Sequence, residues 1–216
     1  MGLGSWLLGG RGHAADGSGG HIVRPRLYEW AAEAAFLGRR SRVFARLADL
    51  SGALPGDRIL DVGCGTGAFT RALDRKVGPD GQVVGVDPSE AVIRYARQRS
   101  PRRVFHVSGG EAVPEPDRTF AVVASSLAIH HVSPDDRPRV LAEAFRVLRP
   151  GGRLIVADFR PPTGRIVKHL VGALGGHAMQ HNPIDDPGLI PSAGFDVLSR
   201  GTLRPWLSYV TATRRR

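Results

Sequence analysis

The stretch Ile59-Leu60-Asp61-Val62-Gly63-Cys64-Gly65-Thr66-Gly67, ILDVGCGTG, carries the reading of the fold. A short apolar run with strand character enters glycines at alternate positions, and Ala68-Phe69-Thr70-Arg71-Ala72-Leu73 continues at helical spacing. The unit is therefore a strand, a glycine loop and a helix. Glycine permits positive φ and brings the backbone close to a ligand where a Cβ would collide. Gly63, Gly65 and Ala68 also satisfy the looser dinucleotide pattern, with Asp87 about 20 residues further on, so a nicotinamide cofactor is the first alternative.

On the C-terminal side, short apolar runs alternate with helix-like stretches, the pattern of parallel strands joined by crossover helices. Strands are expected at Arg58–Val62, Gln82–Val86, Arg103–Val107, Phe120–Ser125 and Gly152–Asp158. Ser89 and Ser133 are candidate helix caps, the second followed by Pro134 at the first helical position. Thr163 starts a further helix that ends at Gly175-Gly176, and Phe195–Ser199 pairs with Leu207–Thr213 as an antiparallel hairpin. On the N-terminal side, Leu27, Trp30, Ala31, Ala34 and Ala35, then Val43, Phe44 and Leu47, recur at helical spacing with a break at Gly38. Residues 1–20 read as a flexible tail, 21–52 as N-terminal helices and 53–216 as the core of one domain.

Three features separate the cofactor alternatives. Asp61 closes the first strand two residues before the glycines, where a carboxylate would repel a pyrophosphate but suits a ligand carrying a sulfonium and an ammonium. In VVGVDPSEAV, residues 83–92, Asp87 ends the second strand and can accept two ribose hydroxyls. The third is the order SSLAIHHV at 125–132 followed by RVLRPGGRLIVADF at 146–159, the latter a helix end, a turn at Pro150-Gly151-Gly152 and a strand.

With these motifs in this order, the chain resembles the class I S-adenosylmethionine-dependent methyltransferases, and more closely the ubiquinone and menaquinone biosynthesis branch. The resemblance covers about residues 20–213. It implies an α/β, Rossmann-like, doubly wound sheet of seven mostly parallel strands with a reversed terminal strand, capped by the N-terminal helices. The implied cofactor is S-adenosyl-L-methionine. Matched residue by residue, Asp61, Gly63, Cys64, Gly65 and Gly67 would surround its methionine part, Asp87 would hold the ribose and Pro88 would lie against the adenine. Ser125 and Ser126 fall where the family approaches the transferable methyl. Two departures stand out. Gly109-Gly110 replaces the usual Asp-Ala pair, which leaves the Gly110 backbone or the Glu111 carboxylate to meet the adenine amino group. Phe120-Ala121 replaces the usual Phe-Asp before the fourth strand.

Methyl transfer from a sulfonium is an in-line displacement, so holding the reactants in line is the main task. His130 and His131, after the fourth strand, are the candidates for a general base or for positioning the acceptor. Tyr28 and Trp30 either cover the site or belong to the core. His177, Met179 and His181 are candidates to line an acceptor pocket, and with no acid near them before Asp185 no metal site is expected. Cys64, flanked by glycines, has no histidine close in sequence and reads as a small loop residue rather than a nucleophile. Arg39 and Arg40 read as a solvated face, with one of them able to meet an anionic acceptor as the alternative.

The 216 residues carry a net charge of +10, but the basic residues are scattered and the longest run is Arg214-Arg215-Arg216. No aromatic residues interleave them for base stacking, and the Asp/Asn-Pro-Pro-Tyr/Phe motif of amino-directed nucleic-acid enzymes is missing. A small, hydrophobic or aromatic methyl acceptor is therefore expected, with nucleic acid disfavoured as partner. A cofactor-binding domain that regulates without catalysis remains the other reading. One cysteine excludes an intrachain disulfide and points to a reducing cytoplasm, and no apolar run is long enough to cross a membrane. Oligomeric state is not legible.

Overall fold

A computed structural model describes residues 25–160 and 182–215. The expected tail over 1–20, the helix from Thr163, and His177, Met179 and His181 all lie outside the described residues. Seven strands form one sheet: β1 (Arg58–Val62), β2 (Gln82–Asp87), β3 (Val104–Val107), β4 (Phe120–Ser126), β5 (Leu148–Phe159), β6 (Phe195–Leu203) and β7 (Leu207–Arg214). Their spatial order is β3-β2-β1-β4-β5-β7-β6. All neighbouring pairs from β3 to β5 are parallel, and β7 runs antiparallel to both β5 and β6. The reversed strand of the expected fold is thus β7, lodged inside the sheet.

Alternate residues of each inner strand feed opposite faces, which is why the strands read as continuous apolar runs. Leu60, Val84, Val123 and Leu154 pack on one face against Val140, Leu141 and Ala144 of α5 (Arg137–Val147). Ile59, Val83, Val122 and Ile155 pack on the other. There they meet α2 (Arg40–Leu50) and α3 (Ala68–Val77) through Phe44, Leu47, Phe69 and Leu73. A fourth helix, α4 (Glu90–Arg99), brings Ile93 and Ala96 against Phe105 of β3. The short α6 (Leu189–Ser192) precedes β6.

The N-terminal segment is two helices, α1 (Pro25–Ala35) and α2, separated at Leu37 and Gly38, both at positive φ. The apolar stripe of α1 does not face the core. Trp30 is 79% exposed and no residue of α1 is buried. The inner face belongs to Tyr28, Glu29 and Ala32, because this helix covers a cavity rather than a packed layer.

Two other expectations are corrected. Pro150-Gly151-Gly152 is not a turn before a strand. It lies within β5, which starts at Leu148, and the register with β4 shifts there between Phe120 and Val122. The helix expected from Pro134 becomes regular only at Arg137, because Pro138 has no N–H to bond back one turn. Ser133 still accepts from the Asp136 amide at 3.2 Å, holding the preliminary turn. Among the described residues, no helix is long and apolar enough to cross a membrane.

Candidate functional site

A cavity of about 470 Å³ opens where β1, β2, β3 and β4 end, beneath α1 and the first turns of α2. This is the switch point of the sheet, where successive connections leave β1 and β4 in opposite directions and carboxyl ends diverge.

Its floor is the glycine loop. The amides of Gly63 and Cys64 donate to the Val86 carbonyl at 2.8 and 3.0 Å, which ties the loop to the end of β2. Gly63, at φ 70°, admits no side chain, since a Cβ there would collide with the Ala128 methyl. Gly65, at φ 52°, is the opposite case: a Cβ would meet no protein atom within 4 Å. The loop backbone is thus pressed against Ala128, just beyond β4, on one side and bare on the other. Gly63, Cys64, Gly65 and Thr66 are on the wall, and Gly67 caps α3 behind them. The Cys64 thiol packs with Ile93, Ala96 and Phe105, and burial pushes its pKa well up, with Asp61 and Asp87 adding to the shift. It stays a protonated thiol.

Asp87 stands on the wall with its carboxylate oriented by two backbone donors, the Gly65 amide at 3.0 Å and the Ser89 amide at 2.9 Å. Pro88 lies beside it on the wall. Asp61 is placed differently. It is 1% exposed, behind the loop, and accepts from the Thr70 hydroxyl of α3 at 2.7 Å. Burial raises its pKa to about 7, with the Thr70 hydrogen bond opposing the shift and the charge of Asp87 adding to it.

At the end of β3, Gly109, Gly110 and Glu111 all line the cavity. A Cβ on Gly110 would come within 2.7 Å of Val62 and 3.1 Å of Val140. A Cβ on Gly109 would run into the Glu111 carboxylate. Glu111 therefore occupies the space that a side chain at position 109 would take. At the end of β4 the Ser125 and Ser126 hydroxyls are buried with no hydrogen-bond partner among the described residues, and Ser126 is on the wall.

The two histidines separate in role. His130 is turned inward: its Nδ1 lies 2.6 Å from Asp158 Oδ1, and its amide donates to Asp158 Oδ2 at 3.0 Å. Asp158, at the end of β5, is fully buried. His131 lines the cavity, with its ring 4.0 Å from that of His130. Though open on its cavity side, its ring is crowded by protein, and this desolvation together with His130 lowers its pKa to about 4, against the pull of Asp158. His131 is neutral at neutral pH.

From above, Tyr28 and Ala32 of α1 and Arg40 and Phe44 of α2 complete the wall. Burial raises the Tyr28 phenol, Arg40 opposes this, and Asp87 and Glu29 reinforce it. Glu29 clips α1 to the loop by accepting from the Thr66 hydroxyl at 2.6 Å, and it pairs with Arg40 at 3.3 Å. The expectation that Arg40 shares a solvated face with Arg39 is wrong: Arg40 is 8% exposed. Sequence reasoning also missed Glu29, Thr70 and Asp158. Only Asp158 left a signal, an acid closing an apolar strand as Asp87 does.

Comparison with known proteins agrees with this geometry. Residues 59–152 match the family described as a methyltransferase domain. Over 120 residues the chain is 40% identical to a demethylmenaquinone methyltransferase of Symbiobacterium thermophilum, covering 53% of this chain and 47% of the relative. Over 128 residues it is 38% identical to a ubiquinone/menaquinone biosynthesis C-methyltransferase of Pasteurella multocida, covering 56% and 47%. The chain spans about half the length of the curated relatives it matches. A solved SAM-dependent methyltransferase from Aquifex aeolicus superposes with a TM-score of 0.65 at 22% identity, covering 78% of this chain and 87% of that one, a likeness of fold. The glycine loop, the acid at the end of β2 and the reversed β7 thus stand beside a methyltransferase-domain match over residues 59–152 and a likeness to S-adenosylmethionine-dependent methyltransferases in sequence and in fold.

Proposed function

We propose that this protein transfers the methyl group of S-adenosylmethionine to a small, apolar or aromatic acceptor bound beneath α1. The observation that carries the proposal is the continuity of one cavity from the glycine loop and Asp87 to an apolar wall of Phe44, Leu127, Ile129 and Val132 with His131 beside it. The residues present fit the cofactor. Gly65 leaves bare backbone, Ser126 offers an orphaned hydroxyl, and Asp87 is held ready for a pair of hydroxyls. The two curated relatives, by name a demethylmenaquinone methyltransferase and a ubiquinone/menaquinone biosynthesis C-methyltransferase, are in keeping with an acceptor of this chemistry.

S-adenosylmethionine, when bound, supplies a methyl on a sulfonium, whose sulfur keeps the bonding electron pair as the acceptor takes the carbon. The chain's residues do the positioning. Asp87 would hold the ribose, the loop backbone and Ser126 the methionine part, and Glu111 would take the adenine amino group in place of the missing acid at 109. Pro88 and the Gly110 backbone, both on the cavity wall, would meet the adenine. His131 orients the acceptor by accepting a hydrogen bond. A general base works best with a pKa near the working pH, and about 4 is far below it. Any acceptor proton therefore leaves to water. His130 does not touch the acceptor; with Asp158 it backs the His131 ring.

The test is incubation with methyl-labelled cofactor and a metabolite extract, read as a mass gain of one methyl. Asp87→Ala should weaken cofactor binding by roughly 10- to 100-fold, the range of lost charge-assisted hydrogen bonds. Saturated binding with no labelled product in any fraction would make the chain a binding domain instead.

A further inference from the structure

Of the large apolar side chains left exposed among the described residues, Leu27, Trp30 and Leu37 fall within α1 and the turn that follows it. Leu27, Trp30, Ala31 and Ala34 recur at three- and four-residue spacing and form one stripe on the side of α1 away from the cavity. Leu37 is a second oddity. Its φ of 54° lies in the left-handed region, which leucine enters only at a cost, yet its side chain is 67% exposed, so the fold gains nothing from a leucine there. At the same end of the helix the Trp206 ring N–H donates to the Ala35 carbonyl, which sets the turn between β6 and β7 against α1. Because β6 runs parallel to β5, that turn stands at the carboxyl ends of the strands, on the cavity side of the sheet.

The charges that neighbour this stripe in the chain are of one sign. Arg26, Arg39, Arg42 and Arg204 are exposed, and none of them is in an ion pair among the described residues. Glu33 is the one exposed acid in residues 25–46. A second copy of the chain docking here about a two-fold axis would bring the same cations face to face. An apolar stripe bordered by unmatched cations fits instead a surface that is apolar beneath and anionic at its rim. We propose that the outer face of α1, with Leu37 and the turn at Trp206, docks on an anionic phospholipid surface. Indole rings settle at the level of lipid headgroups, and arginines beside them reach the phosphates. At 11 residues α1 is too short to cross a bilayer and would lie in the plane of its surface. This goes beyond the methyl transfer proposed above and does not depend on it.

The experiment is co-sedimentation of the full chain, without cofactor, with vesicles of phosphatidylcholine alone and of equal parts phosphatidylcholine and phosphatidylglycerol. The chain should pellet with the mixed vesicles, stay in solution with the neutral ones, and be released by salt. Trp30→Ala should weaken partitioning by about tenfold, and Arg39→Ala and Arg42→Ala by about fivefold each. Leu37→Asn should also weaken it while holding or raising Tm, since asparagine accepts the left-handed backbone more readily. Partitioning unchanged in both Trp30→Ala and Leu37→Asn would place the contact elsewhere and overturn the proposal. Equal binding to both kinds of vesicle would overturn it as well, by removing the anionic lipid. A wild type that binds neither overturns it outright. A dimer in sedimentation equilibrium that Trp30→Ala dissolves would then give this face to a second copy, and a Tm lowered by Trp30→Ala without a dimer would give it to another part of the same chain.

Discussion

Asp61, the penultimate residue of β1, has its carboxyl held by Thr70 and its pKa raised to about 7 by burial. A cationic ligand favours the ionised form, so cofactor affinity should rise with pH up to about 7 and flatten above it. Binding at pH 6 should release a proton, seen as a buffer-dependent enthalpy in calorimetry. Asp61→Asn should remove both effects, and an affinity independent of pH from about 5.5 to 8 in the wild type would sink the idea. The linkage to stability has a definite sign. Because the folded pKa lies above the ordinary carboxylate value of 3.8, the stability tied to Asp61 is fully present below that value and is lost as pH rises through about 7. His131 acts oppositely, losing its contribution as pH falls from the ordinary histidine value of 6.5 through about 4. That an acid stands before the glycines was legible. That it lies behind them was not, because only strand parity sends Asp61, like Ile59, toward the α3 face.

Among the elements, α1 is tied to the body through few polar links. Glu29 bonds Thr66 and pairs with Arg40, and the Trp206 ring N–H donates to the Ala35 carbonyl at 3.0 Å. With no buried residue in this helix, its closure should depend on those links more than on packing. Glu29→Ala should speed hydrogen exchange across 25–35 by about tenfold or more while moving Tm by no more than about 2 °C. Unchanged exchange in α1 would show that the clip holds nothing. Periodicity found both N-terminal helices and their break, yet it assigned Leu27 and Trp30 to the inside. A helix that roofs a cavity reverses the usual rule, since its inner face must carry the polar groups of the site. The shift in β5 was hidden for a similar reason: Pro150-Gly151-Gly152 has the composition of a turn, and only pairing with β4 reveals a strand that continues through it.

For the molecule as a whole, the succession of strands and helices along the chain was legible because each motif sits near a strand end, whereas the reversed strand came from the family resemblance and the spatial order only from the pairing. The net charge of +10 had to be weighed against its distribution. Among the described residues, arginines are dispersed in ion pairs such as Arg58 with Glu115, Arg146 with Asp117 and Arg215 with Asp196. Duplex DNA or RNA should therefore bind no more tightly than about 10⁻⁵ M at physiological salt, the non-specific range, and a submicromolar Kd by fluorescence anisotropy would reopen nucleic acid as the acceptor. The position of β7 bears on how the chain is made. β6 leaves the ribosome before β7, yet its neighbour in the finished sheet is β7 and not β5. During synthesis, then, β5 presents an open edge and β6 has nothing to pair with until the later strand slots between them, so this side of the sheet is assembled after β6 and β7 have both emerged, and the newborn chain exposes two unpaired strands until it closes.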